Sequence, residues 1–271
     1  MKKILVVFDG YNFSAASLDF VRQLSSDSPF LLTGVFLSSI DYKTVLGYPL
    51  AAGGYISAIE YDNDLFAKNV EYFKSYCEKN TFEYRVHDDL GGDALDMLKM
   101  ETRFADLLVL GSETFFKDVE LSTPGEYLKD VVRDTECPIL LLPEDYSFPE
   151  KLILTYDGGK QSMYALKQFA YIFPELCGKE ATLVYGSTKN EDLPYIDLLE
   201  EFANRHFSNL NILKLDIDPK AYFNTWLVNN KNALVITGAF GRSDVSMLFS
   251  RSFMTDVIAE HKLPIFIAHE K

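Results

Sequence analysis

The chain states part of itself twice. KILVVFDG at residues 3–10 returns as KLILTYDG at 151–158, and Ser14 and Leu18 fall on Ser162 and Leu166 at the same offset of 148. Later, LLVLGS (107–112) matches LVITGA (234–239), and KDVVRDTECPILLL (129–142) matches TDVIAEHKLPIFIA (255–268), with the offset reduced to about 126. The reduction reflects a middle insert in the first half, DYKTVLGYPLAAGGYISAIEYDND (41–64), that the second half lacks. A duplication of this size constrains the fold strongly, because whatever unit forms must form twice. A length of 271 residues suits two such units. They are expected at 1–146 and 147–271, joined by the polar, proline-flanked stretch PEDYSFPE (143–150).

Within each half, short runs of Val, Ile and Leu alternate with segments of helical period. That is the pattern of a parallel sheet covered on both faces by helices, an α/β fold. Strands are expected near 4–8, 30–36, 82–86, 107–110 and 138–142, and again near 151–156, 181–185, 210–215, 233–237 and 264–268. Helices are expected near 14–25, 62–79, 92–102 and 125–135, then 161–173, 191–206, 219–229 and 248–260. In open sheets of this kind ligands bind beyond the carboxyl ends of the strands, where strand order reverses. If each half runs in the order 3-2-1-4-5, the reversal lies between its first and fourth strands. In the second half these end at Asp157 and Gly238, which should then face one crevice.

Charge and composition exclude several classes of function. The net charge of −14 is concentrated in residues 1–146, with 13 Lys+Arg against 25 Asp+Glu, while 147–271 holds 13 against 15. Nucleic-acid affinity needs clustered cations, so nucleic acid is not expected as a partner. No apolar run approaches the roughly 20 residues of a membrane span, and the N-terminal run ends at Asp9, too soon for a signal-peptide core. A soluble, cytoplasmic protein without membrane contact is expected. Three sparse cysteines without a C-x-x-C pair (Cys77, Cys137, Cys177) suit buried thiols in a reducing compartment and no zinc site.

The stretch GAFGRSDVSMLFSRS (238–252) carries the chemistry of interest. Glycines let backbone N–H groups approach an anion without a Cβ in the way, and a helix N-terminus adds partial positive charge. Taken with the strand-1 aspartate and the Pro-led final strand, this stretch resembles the universal stress protein family in its tandem, two-domain form. The resemblance covers nearly the whole chain, twice. It implies two tandem open parallel five-stranded sheets of order 3-2-1-4-5, flanked by helices and related by a pseudo-twofold axis. It also implies an adenine nucleotide, ATP or AMP, at Gly-x2-Gly-x9-Gly-Ser/Thr. Asp157 would contact the nucleoside, the backbone of Val184 the adenine, and Gly238, Gly241 and Ser252 the phosphates. Arg251 stands where the family has its third glycine, and it and Arg242 either pair with phosphate through the guanidinium or are solvated. The first half keeps Gly111 and Gly125 but replaces the second glycine by Thr114 and the hydroxyl by Glu126. Like charges would repel there, so that site is read as incompetent for nucleotide triphosphates.

No Gly-x-Ser-x-Gly elbow or Gly-Lys-Ser/Thr loop is present, and no catalytic residue is nominated. Weak ATP hydrolysis is the most that such a site would support. His87-Asp88-Asp89 is read as a solvated strand end rather than a metal site, and the insert 41–64 as a lid or an interface flap. Phe223 and Trp226 are read as core. The expectation is a stress-associated binding or regulatory protein whose two domains pair with each other, a further homo-oligomer being left open. The alternative is a scaffold without nucleotide that acts through protein association.

Overall fold

A computed structural model of the chain describes residues 1–9, 13–24, 29–37, 54–88, 94–112, 131, 133–186, 192–215, 230–238 and 263–270. Among them lie strands β1 (Lys2–Asp9), β2 (Phe30–Leu37), β3 (Glu83–His87), β4 (Leu107–Gly111) and β5 (Ile139–Leu142), then β6 (Lys151–Tyr156), β7 (Glu180–Gly186), β8 (Leu210–Leu215), β9 (Ala233–Gly238) and β10 (Ile265–Ala268). The helices are α1 (Ala15–Leu24), α2 (Gly54–Lys79), α3 (Ala94–Thr102), α4 (Lys160–Ile172) and α5 (Ile196–His206). The expected helices 219–229 and 248–260, with Phe223 and Trp226, lie outside the described residues, as does nearly all of 125–135.

All ten strands form one sheet, in the order β3-β2-β1-β4-β5-β10-β9-β6-β7-β8. Each half therefore runs 3-2-1-4-5, but the two blocks are not separate sheets. They are continuous through β5 and β10, which pair antiparallel with Ile265 opposite Leu141, Phe266 opposite Leu140 and Ile267 opposite Ile139. The other ladders are parallel. The two blocks thus point in opposite directions, and the carboxyl ends of their strands lie at opposite ends of the molecule.

Burial follows position in the sheet. The central strands β4, β5 and β10 are buried at every residue, which is why they read as unbroken apolar runs, whereas the edge strand β3 is exposed or half-buried throughout. Alternation divides the side chains between two faces: Ile4, Val6 and Phe8 enter one core, Leu5 and Val7 the other. Both cores cross the junction, since Leu140 and Phe266 share the first while Leu141 and Ile265 share the second. Phe266 is fully buried, its ring centroid 5.4 Å from Phe169 and 5.8 Å from Phe173, both edge-on. The polar-looking connection 143–150 also packs. Phe148 lies 5.2 Å from the Phe20 ring of α1 with the Lys179 ammonium 5.5 Å from its face, so one side chain ties the first half to the second.

Two helix boundaries differ from expectation. α2 begins at Gly54 rather than near 62, so the second part of the 41–64 insert is helix and not flap. Once a helix exists, each added residue gains a hydrogen bond, and Ala58 and Glu60 extend it readily despite the surrounding tyrosines. α5 begins at Ile196 rather than near 191, because Pro194 disfavours helical backbone in the residue before it.

Two outcomes test this packing. Phe266→Ala should destabilise the chain by about 3–5 kcal/mol in urea unfolding, as for other fully buried aromatic side chains. Burial also pushes the thiols of Cys77, Cys137 and Cys177 up to about 12. Their contribution to stability should be intact below about pH 9, the ordinary thiol range, and be lost as pH rises from there through about 12, because the unfolded chain ionises first. At pH 8 a thiol reagent should label native protein far more slowly than urea-unfolded protein, and equal rates would contradict the burial.

Candidate functional site

The candidate site lies at the ends of β6 and β9, where their ladder stops. Pairing runs from Lys151 opposite Ala233 to Leu154 opposite Ile236 and ends there. Past that point the hydroxyl of Thr155 donates to the Ile236 carbonyl at 2.8 Å, and the chain turns through Asp157-Gly158-Gly159 into α4. β9 ends at Gly238, beside Ala268 of β10.

Asp157 and Gly238 meet through the first turn of α4. Asp157 Oδ1 accepts from the Gly159 N–H at 2.7 Å and from the Ser162 hydroxyl at 2.6 Å, so the carboxylate is held in one orientation by its own loop. Gly238 packs against that same turn. A Cβ at Gly238 would stand 2.6 Å from the carbonyl carbon and oxygen of Gln161 and 2.8 Å from the Ser162 nitrogen. Glycine is required here by close backbone approach. The carboxylate, the serine and the glycine thus form one continuous rim. Gln161 extends it by exchanging side-chain bonds with the Glu270 backbone at 3.0 and 2.8 Å, and Lys160 contacts the Glu270 carboxylate at 3.0 Å.

Val184 lies deeper than a mouth position. It is 3% exposed and has strand neighbours on both sides, Thr155 and Leu213. The β6 ladder reaches Tyr185, and Gly186 pairs only with Leu215, so the backbone that projects past β6 belongs to Gly186. Gly241, Arg242, Arg251 and Ser252 lie outside the described residues, as do Thr114, Gly125 and Glu126 of the first half.

Several rim residues escaped sequence reasoning. Gly158 has φ +75°, and a Cβ there would meet Pro194 at 2.8 Å, so the segment entering α5 packs directly on the Asp157 turn. The Tyr156 hydroxyl donates to the Pro194 carbonyl at 3.1 Å. Burial, followed by the charge of Asp157, raises the Tyr156 phenol above its ordinary pKa. The doubled glycine of DGG and the repeated serine were visible signals, but only packing gives them a role.

His87 departs from the reading as a solvated strand end. Its Nδ1 lies 2.6 Å from Glu101 Oε1, off the direction of an aligned hydrogen bond, while Lys3 reaches the other carboxylate oxygen at 3.3 Å. α3 supplies that carboxylate, a partner that sequence adjacency could not reveal. Among the described residues no group of three or more His, Cys, Asp or Glu is arranged to hold a metal ion, and no helix is long and apolar enough to cross a membrane.

The rim should be sensitive to single atoms. Gly238→Ala should cost about 1–3 kcal/mol by overpacking against backbone, and Ser162→Ala about 1 kcal/mol through lost hydrogen bonds. Thermal or urea unfolding measures both, and a neutral Gly238→Ala would contradict the close approach.

No family model matches the chain, and no curated protein matches it in sequence. Solved structures do match it. A universal stress protein from Archaeoglobus fulgidus aligns over 99% of this chain and 96% of its own, with a TM-score of 0.73 at 14% identity. A universal stress protein candidate from Pseudomonas aeruginosa aligns over 99% and 93%, with a TM-score of 0.53 at 13% identity. A protein of unknown function from the same species aligns over 99% and 92%, with a TM-score of 0.55 at 13% identity. Identity this low speaks to architecture alone, and on that evidence the chain has the α/β fold of the universal stress proteins along nearly its whole length.

Proposed function

We propose that the chain is a stress-associated binding or regulatory module that takes an adenine nucleotide, ATP or AMP, in its second crevice without turnover. The observation that carries this reading is the shared rim: Gly238 abuts Ser162, and Ser162 holds Asp157. A carboxylate fixed by its own loop is preorganised to accept from a ribose or base without paying the cost of ordering on binding. Gly186 then offers backbone to the adenine in place of the expected Val184, and Gly238, Gly241 and Ser252 take the phosphates with charge from Arg242 and Arg251. Buried free thiols at Cys77, Cys137 and Cys177 suit a reducing compartment, and the cytoplasm is the location we propose.

A scaffold without nucleotide is the second reading. It draws on Phe104 and Met100, at the end of α3, which are 68% and 47% exposed and offer apolar surface to a partner.

Thermal melting with added nucleotide separates the two. A ligand bound only by the folded chain stabilises it by about 2.7 kcal/mol at 100 times its Kd, so millimolar ATP or AMP should raise Tm in the wild type. The rise should vanish in Ser252→Glu, where a carboxylate faces the phosphates, and shrink in Asp157→Ala. No shift in the wild type at millimolar ATP favours the scaffold. Sustained phosphate release by purified protein that disappears in Asp157→Ala would overturn the absence of turnover.

A further inference from the structure

Tyr195 stands apart from the other tyrosines near the second crevice. Tyr156 and Tyr185 are each 3% exposed, whereas Tyr195 is 68% exposed. Its backbone is left-handed, with φ 57° and ψ 36°, at the residue that caps the start of α5. A non-glycine residue in that region is strained, and such positions persist where the surroundings impose them. The surroundings here are visible. Pro194 is pressed against Gly158 and its carbonyl is held by the Tyr156 hydroxyl, so Tyr195 emerges next to the Asp157 turn and cannot move far from it. The phenol of Tyr195 lies near enough to that of Tyr156 to contribute, after burial and Asp157, to raising its pKa. A large aromatic side chain is therefore held in solvent one residue from the Pro194 contact on the Asp157-Gly158-Gly159 turn.

We propose that the Tyr195 ring is an aromatic wall of the second crevice, stacking on the base of the adenine nucleotide whose sugar or base is held by Asp157. This rests on the nucleotide reading of the same crevice and adds to it a residue outside the glycine stretch. Stacking suits the position because every purine has a π-face, and the ring needs no hydrogen-bond partner to hold it. It also gives the Tyr195 exposure a use that burial in a core would deny.

The experiment is equilibrium binding of ATP and AMP to wild type, Tyr195→Ala, Tyr195→Phe and Tyr195→Trp, with Tm recorded for each. Base–aromatic stacking is worth about 1–3 kcal/mol by alanine substitution, so Tyr195→Ala should weaken both nucleotides by roughly 5- to 150-fold. Tyr195→Phe should keep near wild-type affinity, and Tm without ligand should be nearly the same in all four proteins because the side chain is exposed. Tyr195→Trp should bind as well as wild type and show quenched indole emission on adding AMP, beyond any change from Trp226 in the wild type. Equal affinity in Tyr195→Ala and wild type, loss of binding in Tyr195→Phe, or an unquenched Tyr195→Trp would each overturn the wall while leaving the nucleotide site standing. A wild type that binds neither ATP nor AMP overturns both.

Discussion

Three residues from each half, Ile139–Leu141 and Ile265–Ile267, hold the molecule as one body. Their antiparallel pairing gives β5 and β10 a partner on each side, so neither of these wholly apolar strands is left as an edge. A strand buried on both faces with one side unpaired would present backbone donors and acceptors that neither water nor protein could satisfy. Joining the two halves removes that cost and merges their cores on both faces of the sheet. The aromatic contacts of Phe148 reinforce the same junction from the connecting segment.

The junction also governs where chemistry can occur. Because the two blocks run in opposite directions, the carboxyl ends of their strands lie at opposite ends of the sheet, and sites built there cannot pool residues. Each must be judged by its own side chains. In the second half the decisive element is close packing: Gly238 brings the end of β9 onto the first turn of α4, and the same turn orients Asp157 through Ser162. Pro194 packs on Gly158 of the turn that carries Asp157. Gly158 and Gly238 are thus both positions where a neighbour comes too close for a Cβ.

Much of this was legible in the residues. All ten strands fall within a residue or two of their expected places, chiefly because a buried parallel strand is an apolar run. Boundaries fared worse where local composition pulled against cooperativity, as at Gly54, where tyrosines and a glycine pair suggested irregular chain but helix propagation prevailed. The site was legible in outline only. Asp157 and Gly238 could be named from the ends of their strands, whereas Ser162, Pro194 and Gly186 acquire meaning from which backbone touches which. Val184 sits two residues inside its strand because pairing to β6 continues through Tyr185, a register that composition does not encode.

The amino-acid order by itself determined the α/β class, the positions of the strands, the burial of the three thiols and the aspartate at the tip of β6. These follow from periodicity and polarity, which are properties of neighbours along the chain. Only the tertiary structure decided that the two units share one sheet, that His87 answers to Glu101, and that Gly238 and Asp157 meet across α4. Those contacts join residues distant in sequence, and they arise from packing in three dimensions, where excluded volume and hydrogen-bond direction select one arrangement among many that the same pattern of apolar residues would allow.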